Sequence, residues 1–316
     1  MNYIIPSWRD LDVEISNSVT TYLEYQLTGR DLNYTGRAYP NPDGRIIVRV
    51  SDIIRDTLKP QIPISLEDGI TIENQAYNTV VLSVNQTPMH TITMFLDNSF
   101  ESESIFDETA LLLSEPVTGV LDPRQRLIFN VGYYDGFPMV TVNGQQYAYD
   151  ETYSYNVMFN MEMPTGNTVN ISVDGTNTSY TIQPSSADYC LYYVNEKGGY
   201  DSILLNHKVT KKTVNTPVNY KKYGNNTTTN HQKMKLVNDS VITMEFVTGW
   251  LKDNQTERIH NIFNTTSAYL HDLNTDKIIP VNISTNQYNQ MTMRSNGKKY
   301  VNFTIGCEYS INRKMI

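Results

Sequence analysis

Five histidines, two cysteines and one Glu-x-x-His pair are the residues whose types could support metal or acid–base chemistry. His90, His207, His231, His260 and His271 include no His-Glu-x-x-His pair, and none flanks a Cys-x-x-Cys, so no zinc spacing is present. Glu257 and His260 stand i, i+3 on a predicted helix and could reach one metal. With no second such pair to complete a bundle-type site, they read as a capping glutamate and a surface histidine. His271-Asp272 closes a strand at a turn. No Gly-x-Ser-x-Gly, Walker-type or Gly-x-Gly-x-x-Gly pattern occurs, and Gly198-Gly199 suits a bulge or a sharp strand connection. Carboxylates are numerous enough that chance pairs are guaranteed, so glycosidase chemistry has no specific support. The expectation is a protein that is not an enzyme and uses no cofactor and no metal. Cys190 and Cys307, in apolar strand-like surroundings far apart in sequence, read as two buried thiols.

With chemistry unmotivated, the elements themselves carry the reading. The chain has 316 residues, more than one core usually serves, so two or three domains are expected. It is rich in Tyr, with 23, and in Asn and Thr, which favours strands and polar turns over helices. Leu11, Val13 and Ile15 alternate with acidic residues, and strand patterns recur at 22–27, 45–50, 79–84 and 91–96. Ser51 is placed as the N-cap of a short helix ended by Pro60. Residues 97–108 form an acidic stretch read as a loop. From 124 to 183 the pattern is plainly β, with Asn143-Gly144 and Asp174-Gly175 as hairpin turns, because both central residues adopt positive φ cheaply. The fold class is therefore mainly β, with two or three β-sandwich-like domains. Residues 1–120 form an acidic sandwich and 121–187 a second β unit that could be continuous with it. Residues 188–316 form a basic β-sheet unit with one packed α-helix.

That helix is placed at 254–265, with Asn254 as N-cap and Glu257 completing a capping box. Ile259, Ile262, Phe263 and Thr266 share one face. Trp250, Leu251, Ile259, Ile262 and Phe263 are expected to hold the helix against the sheet. Residues 211–235 lack periodicity and read as an extended arm. Lys211, Lys212, Lys221 and Lys222, with Tyr220 and Tyr223 between the lysines, are candidates for contact with a neighbouring subunit.

Charge divides the chain. Up to Glu196 there are 9 basic and 25 acidic residues, a net of −16; from Lys197 there are 16 against 8, a net of +8, together the −8 of the whole. Opposition of this kind is a statement about partners and not about fold. The N-terminus shows no signal-peptide pattern, and no stretch is apolar enough to span a bilayer. A soluble chain made in a cytoplasm is expected.

Three stretches carry a resemblance: 191–209 with Gly198-Gly199-Tyr200-Asp201-Ser202, 248–283 with Thr248-Gly249-Trp250-Leu251 and Ile279-Pro280-Val281, and the closing strand 298–312. They resemble a group of structural proteins of tailed phages and prophages of Bacteroidales, including crAss-like phages. Tyr34-Thr35-Gly36-Arg37-Ala38 and Asp52-Ile53-Ile54 resemble the same group. The resemblance implies a virion component of the tail or neck, assembling as a ring of copies, roughly six or twelve, around the DNA channel. It would contact other tail, neck or portal proteins, with non-specific DNA proximity in the lumen and no membrane partner. A second reading is a carbohydrate- or receptor-binding module, with tyrosines such as Tyr133-Tyr134 and those of 147–155 as stacking platforms. A cell-wall hydrolase is a third, supported by no motif.

Overall fold

The computed structural model describes residues 2–6, 10–15, 21–58, 64–72, 77–95, 111–132, 139–147, 156–207, 209–221, 233–252, 255–284, 290–295, 298–310 and 313–315. The expected loop at 97–108 and the tyrosines at 133, 134 and 148–155 lie outside them. The protein is mainly β, with two helices among the described residues. It divides into two compact units: residues 1–182 with 194–201, and residues 183–193 with 202–316. The boundary expected at 120 falls inside the first unit, and the one at 187 lies near the start of the second.

The first unit holds two sandwich-like cores. In the first, strands Asn2–Pro6, Thr87–Phe95, Tyr77–Val84, Leu23–Gly29 and Leu32–Ala38 form a sheet in that order, while Asp12–Ile15 pairs with Ile46–Arg49. The alternation dictates the packing. Val13, Ile15, Leu23, Leu27, Val80 and Leu82 all turn into one core, which Ile54 of the short helix α1 (Ser51–Arg55) closes. Ser51 is not the cap of α1. Val50 occupies that position without a side-chain bond, and Ser51 Oγ instead lies 3.5 Å from Asp10 Oδ1.

The second core lies between two sheets. One runs Gly69–Ile72, Asn156–Met161, Leu127–Gly132, Leu111–Leu112; the other runs Val120–Leu121, Thr176–Ile182, Thr168–Val173, Val140–Val142, Gln145–Tyr147. Phe129 and Phe159, opposite each other in register, stack with centroids 4.8 Å apart. The turns at Asn143-Gly144 and Asp174-Gly175 do take positive φ, from 47° to 85°. Strand Gly69–Ile72 comes from the sequence of the first core and edges a sheet of the second. It is fastened there by Asp68, whose carboxylate pairs with the buried Arg126 and accepts from Glu162 N at 3.1 Å. Asn160 adds bonds from its Nδ2 to Ser65 O and Glu67 O. That crossing explains why a contiguous division of the sequence does not isolate either sandwich.

The second unit is built on one large sheet, ordered Tyr200–Leu205, Tyr189–Val194, Ala268–Asp272, Lys277–Ile283, Lys298–Tyr309, Lys233–Val247, Val209–Lys221. Strand Lys298–Tyr309 is long enough to serve two neighbourhoods. Its C-terminal half joins the large sheet, and its N-terminal half pairs with Leu251–Lys252 and Gln290–Ser295. Helix α2 (Thr256–Asn264) packs through Ile259 and Ile262, both fully buried. Phe263 is half-buried, its ring 6.3 Å from that of Phe303. His260, read above as a surface residue, also sets its ring edge-on to Phe303, at 5.7 Å. Tyr193 Oη donates to the carbonyl of Arg258 at 3.0 Å.

Three sequence expectations for this helix change. Gln255, and not Asn254, is the N-cap, and its Oε1 accepts from Lys252 N at 2.9 Å; Asn254 lies outside the described residues. Thr266 follows the helix and is exposed. Trp250 does not pack the helix: it is 44% exposed, whereas its neighbour Leu251 is buried. The cause is the turn before it, where Gly249 takes φ of +77° and buried Thr248 exchanges hydrogen bonds with Phe303. A Cβ on Gly249 would lie 2.5 Å from His207 Nε2, so the turn has no room for another residue.

Replacing Ile262 by Ala should lower the unfolding free energy by about 2–5 kcal/mol through lost burial and a residual cavity. Phe263→Ala should cost less, because that ring is only half-buried. Urea titrations of the two variants check the order, and equal losses would show that the packing is misassigned.

Candidate functional site

Two features of the described residues combine polar chemistry with an organised backbone. The first is the connection between Tyr189–Val194 and Tyr200–Leu205. Here the chain turns within five residues, and Gly198 takes φ of +81°. Such a turn leaves backbone groups without strand partners, and burial makes each of them costly unless it is paired. Asn195 supplies most of the partners. Its Oδ1 accepts from Lys197 N at 2.9 Å and Gly199 N at 3.0 Å, while its Nδ2 donates to Leu113 O at 2.7 Å and Asp201 Oδ1 at 2.8 Å. Glu115 N donates to the same carboxyl oxygen, also at 2.8 Å.

Two further asparagines complete the connection. Asn130 Oδ1 accepts from Tyr200 N and from Ser114 Oγ, and its Nδ2 donates to Asn156 Oδ1; Asn156 Nδ2 in turn donates to Gly198 O at 2.8 Å. Ser114, Asn130, Asn156, Asn195 and Asp201 are all buried. Leu113 is the apolar counterpart. A Cβ at Gly199 would lie 2.8 Å from its backbone oxygen, and one at Gly132 would lie 2.9 Å from its side chain. Burial pushes the Asp201 carboxyl up to about 8, against the opposing pull of the Asn195 hydrogen bond and the Lys197 charge. The arrangement binds backbone and holds one proton.

The second feature is the segment expected as an aperiodic arm. Its described residues form a two-stranded antiparallel ribbon, Val209–Lys221 against Lys233–Val247, with a register shift between Val218 and Asn219. Lys211, Lys212 and Thr213 are exposed in succession, so these three residues show no alternation. Val209–Lys221 is the terminal strand of its sheet, and its lysines and Pro217 are residues that edge strands tolerate.

The structure brings Lys211 and Lys212 to the ribbon's base, each against a partner. Lys211 Nζ lies 5.8 Å over the Tyr309 ring, and Lys212 Nζ lies 3.1 Å from Glu245 Oε1. Both lysines are exposed, so these contacts position them without consuming their charge outward. Tyr220 and Lys221 stand at the far end, in register with Met234 and Lys233. Lys222 and Tyr223 lie outside the described residues.

The remaining candidates have local roles. His271 is buried, with Nε2 2.9 Å from Asp276 Oδ1, at the strand-closing turn where the sequence placed it. Cys190 and Cys307 are both buried free thiols, and burial pushes Cys307 up to about 12. Among the described residues no group of three or more His, Cys, Asp and Glu is placed to hold a metal ion. No described helix is long and apolar enough to cross a membrane. Sequence reasoning missed the asparagine network. Its only trace was the Gly198-Gly199-Tyr200-Asp201-Ser202 stretch, because amides that satisfy backbone carry no spacing rule.

No family model matches the chain, and no curated protein matches it. Among solved structures, an I9–I11 tandem from titin aligns over 99% of this chain and 94% of that one, at 10% identity and a TM-score of 0.17. A Salmonella alpha-2-macroglobulin mutant aligns over 93% of this chain and 25% of that one, at 8% identity and a TM-score of 0.19. At these scores neither likeness bears on fold or function.

The Asp201 carboxyl has an ordinary value of 3.8 and a folded value of about 8. Below about pH 4 both states hold the proton. Between about 4 and 8 only the unfolded chain releases it, so this group's contribution to stability falls as pH rises and levels off above 8. Asp201→Asn mimics the neutral acid and keeps the acceptor oxygen. Its stability relative to wild type should therefore grow with pH across that window, by up to about 1.4 kcal/mol per pH unit. Urea midpoints at several pH values check this, and a constant difference between the two proteins would show that the buried carboxyl is ionised throughout.

Proposed function

We propose that the chain is a structural protein of a tailed phage virion, forming a homo-oligomeric ring in the tail or neck around the DNA channel and contacting adjacent rings. The observation that carries this reading is the separation of charge, −16 through Glu196 and +8 beyond it. A ring closes by repeating one contact between two unlike surfaces of the same chain. Opposed charge steers such surfaces together and fixes their register. The exposed lysines at the ribbon's base fit the cationic side of that contact.

The resemblance of residues 191–209, 248–283 and 298–312 to phage structural proteins supports a place in the tail or neck. The partners on this reading are other copies of the chain and neighbouring tail, neck or portal proteins. Any DNA in the lumen would be met through phosphate charge without reading its sequence. The asparagine-held turn serves rigidity, which a load-carrying ring subunit requires, and no catalytic step is assigned to it.

The test is the solution mass of the purified protein by light scattering, at low and high salt, with negative-stain images of the large species. Closed rings of roughly six or twelve copies, loosening as salt screens the contact, are expected. A monomer at every salt that binds glycans would overturn the reading in favour of a carbohydrate- or receptor-binding module.

A further inference from the structure

In the second unit the exposed large hydrophobic residues, among those described, are Trp250, Met291 and Met293, at 44%, 62% and 41%. All three lie on or beside one small sheet. Strand Lys298–Tyr309 is central there, with Leu251–Lys252 on one side and Gln290–Ser295 on the other. Register sorts its side chains into two faces. Leu251, Val301 and Thr292 share one row, and the first two are buried. The next row, Lys252, Tyr300 and Met293, points the other way. Asn302 and Met291 continue that outward face, and Trp250 adjoins it on the far side of Leu251.

An antiparallel sheet with one face in the core normally presents polar residues on the other. Here the outward face carries a tryptophan, two methionines and a half-buried tyrosine. Exposed Trp and Met in one contiguous area are a mark of contact surfaces, because they supply large area and adaptable packing. The border is cationic. Lys252 and Lys298 lie on the face itself, whereas Arg294 and Lys299, paired with each other, share the opposite face with Thr292 and Val301; all four are exposed. Residues 290–303 contain no Asp or Glu.

We infer that this tryptophan–methionine face is a docking surface for a second copy of the same chain, which presents acidic surface from its residues up to Glu196. The inference rests on the ring reading and supplies one side of its repeating contact. Charge chooses the occupant: the part of another copy up to Glu196 carries a net −16, opposite in sign to the lysine rim, and exposes Leu66 and Ile70 beside Glu67 and Asp68, supplied at equal concentration. Duplex DNA would satisfy the cations and leave the apolar centre exposed. The apolar centre provides affinity, and the cations set encounter rate and register.

The experiment compares wild type with Trp250→Ser/Met291→Ser/Met293→Ser and with Lys252→Glu/Lys298→Glu, by light scattering and sedimentation over a range of concentration and salt. All the substituted side chains are exposed, and unchanged thermal melts confirm that the variants fold. The self-association constant should weaken at least about tenfold in each variant. The charge variant should also lose most of the salt dependence. In a Trp8→Phe background Trp250 is the remaining tryptophan, and its emission should move to the blue on assembly. If wild type forms rings that the apolar variant forms equally well, with no change in Trp250 emission, this face is overturned while the ring reading stands. A wild type that never associates overturns both. Duplex DNA binding that is lost in either variant, without any self-association, overturns the second copy as the occupant.

Discussion

Buried backbone that cannot complete a strand ladder must find other partners, and this constraint shapes the turn between Tyr189–Val194 and Tyr200–Leu205. Asn130, Asn156 and Asn195 stand in for missing strands there. Each amide offers a carbonyl and an NH2 at once, so one side chain can accept from one backbone group and donate to another. Asp201 joins the same network through one oxygen that receives two donors. A network of this kind is stable only when every member is matched, because an unpaired polar group in a low-dielectric interior is costly. Leu113, wedged where Gly132 and Gly199 leave no room for a Cβ, seals it from the apolar side.

The two sandwiches and the large sheet obey a looser rule. Their cores follow from period-two alternation, and for that reason much of the fold was legible in the sequence. Val13 and Ile15, Val80 and Leu82, and Val169 and Ile171 all point inward as their spacing requires. The turns Asn143-Gly144 and Asp174-Gly175 were readable because few other residue pairs accept positive φ twice in succession. Helix α2 was found from the spacing of Ile259 and Ile262, although its first turn was misread by a residue or two.

Other features lay beyond sequence reasoning for separate physical reasons. Strand Gly69–Ile72 was not read from the sequence, and which sheet it joins depends on a long-range pairing that no local pattern encodes. The strand Val209–Lys221 was hidden because Lys211, Lys212 and Thr213 are exposed in succession and show no alternation. Trp250 was misplaced because its size suggested a core anchor, whereas the backbone twist at Gly249 decides which side of the chain it leaves. Of the surface candidates, the cations were visible as composition. The face formed by Trp250, Met291 and Met293 exists only after three segments are brought side by side.

The crossing of Gly69–Ile72 into the second core bears on how the protein comes off the ribosome. Strand pairing there is antiparallel with Asn156–Met161, so an early segment must wait, exposed and apolar at Ile70, until a much later one has been synthesised. The first core encloses that wait: strands Leu23–Gly29 and Tyr77–Val84 pair with each other across it. Once they have paired, residues 64–72 lie within a closed loop, while their separation in sequence from Asn156–Met161 is unchanged, so the crossing pairing still has to close a long loop. The completion of the second sandwich is therefore tied to a contact of high sequence separation, the kind that slows folding.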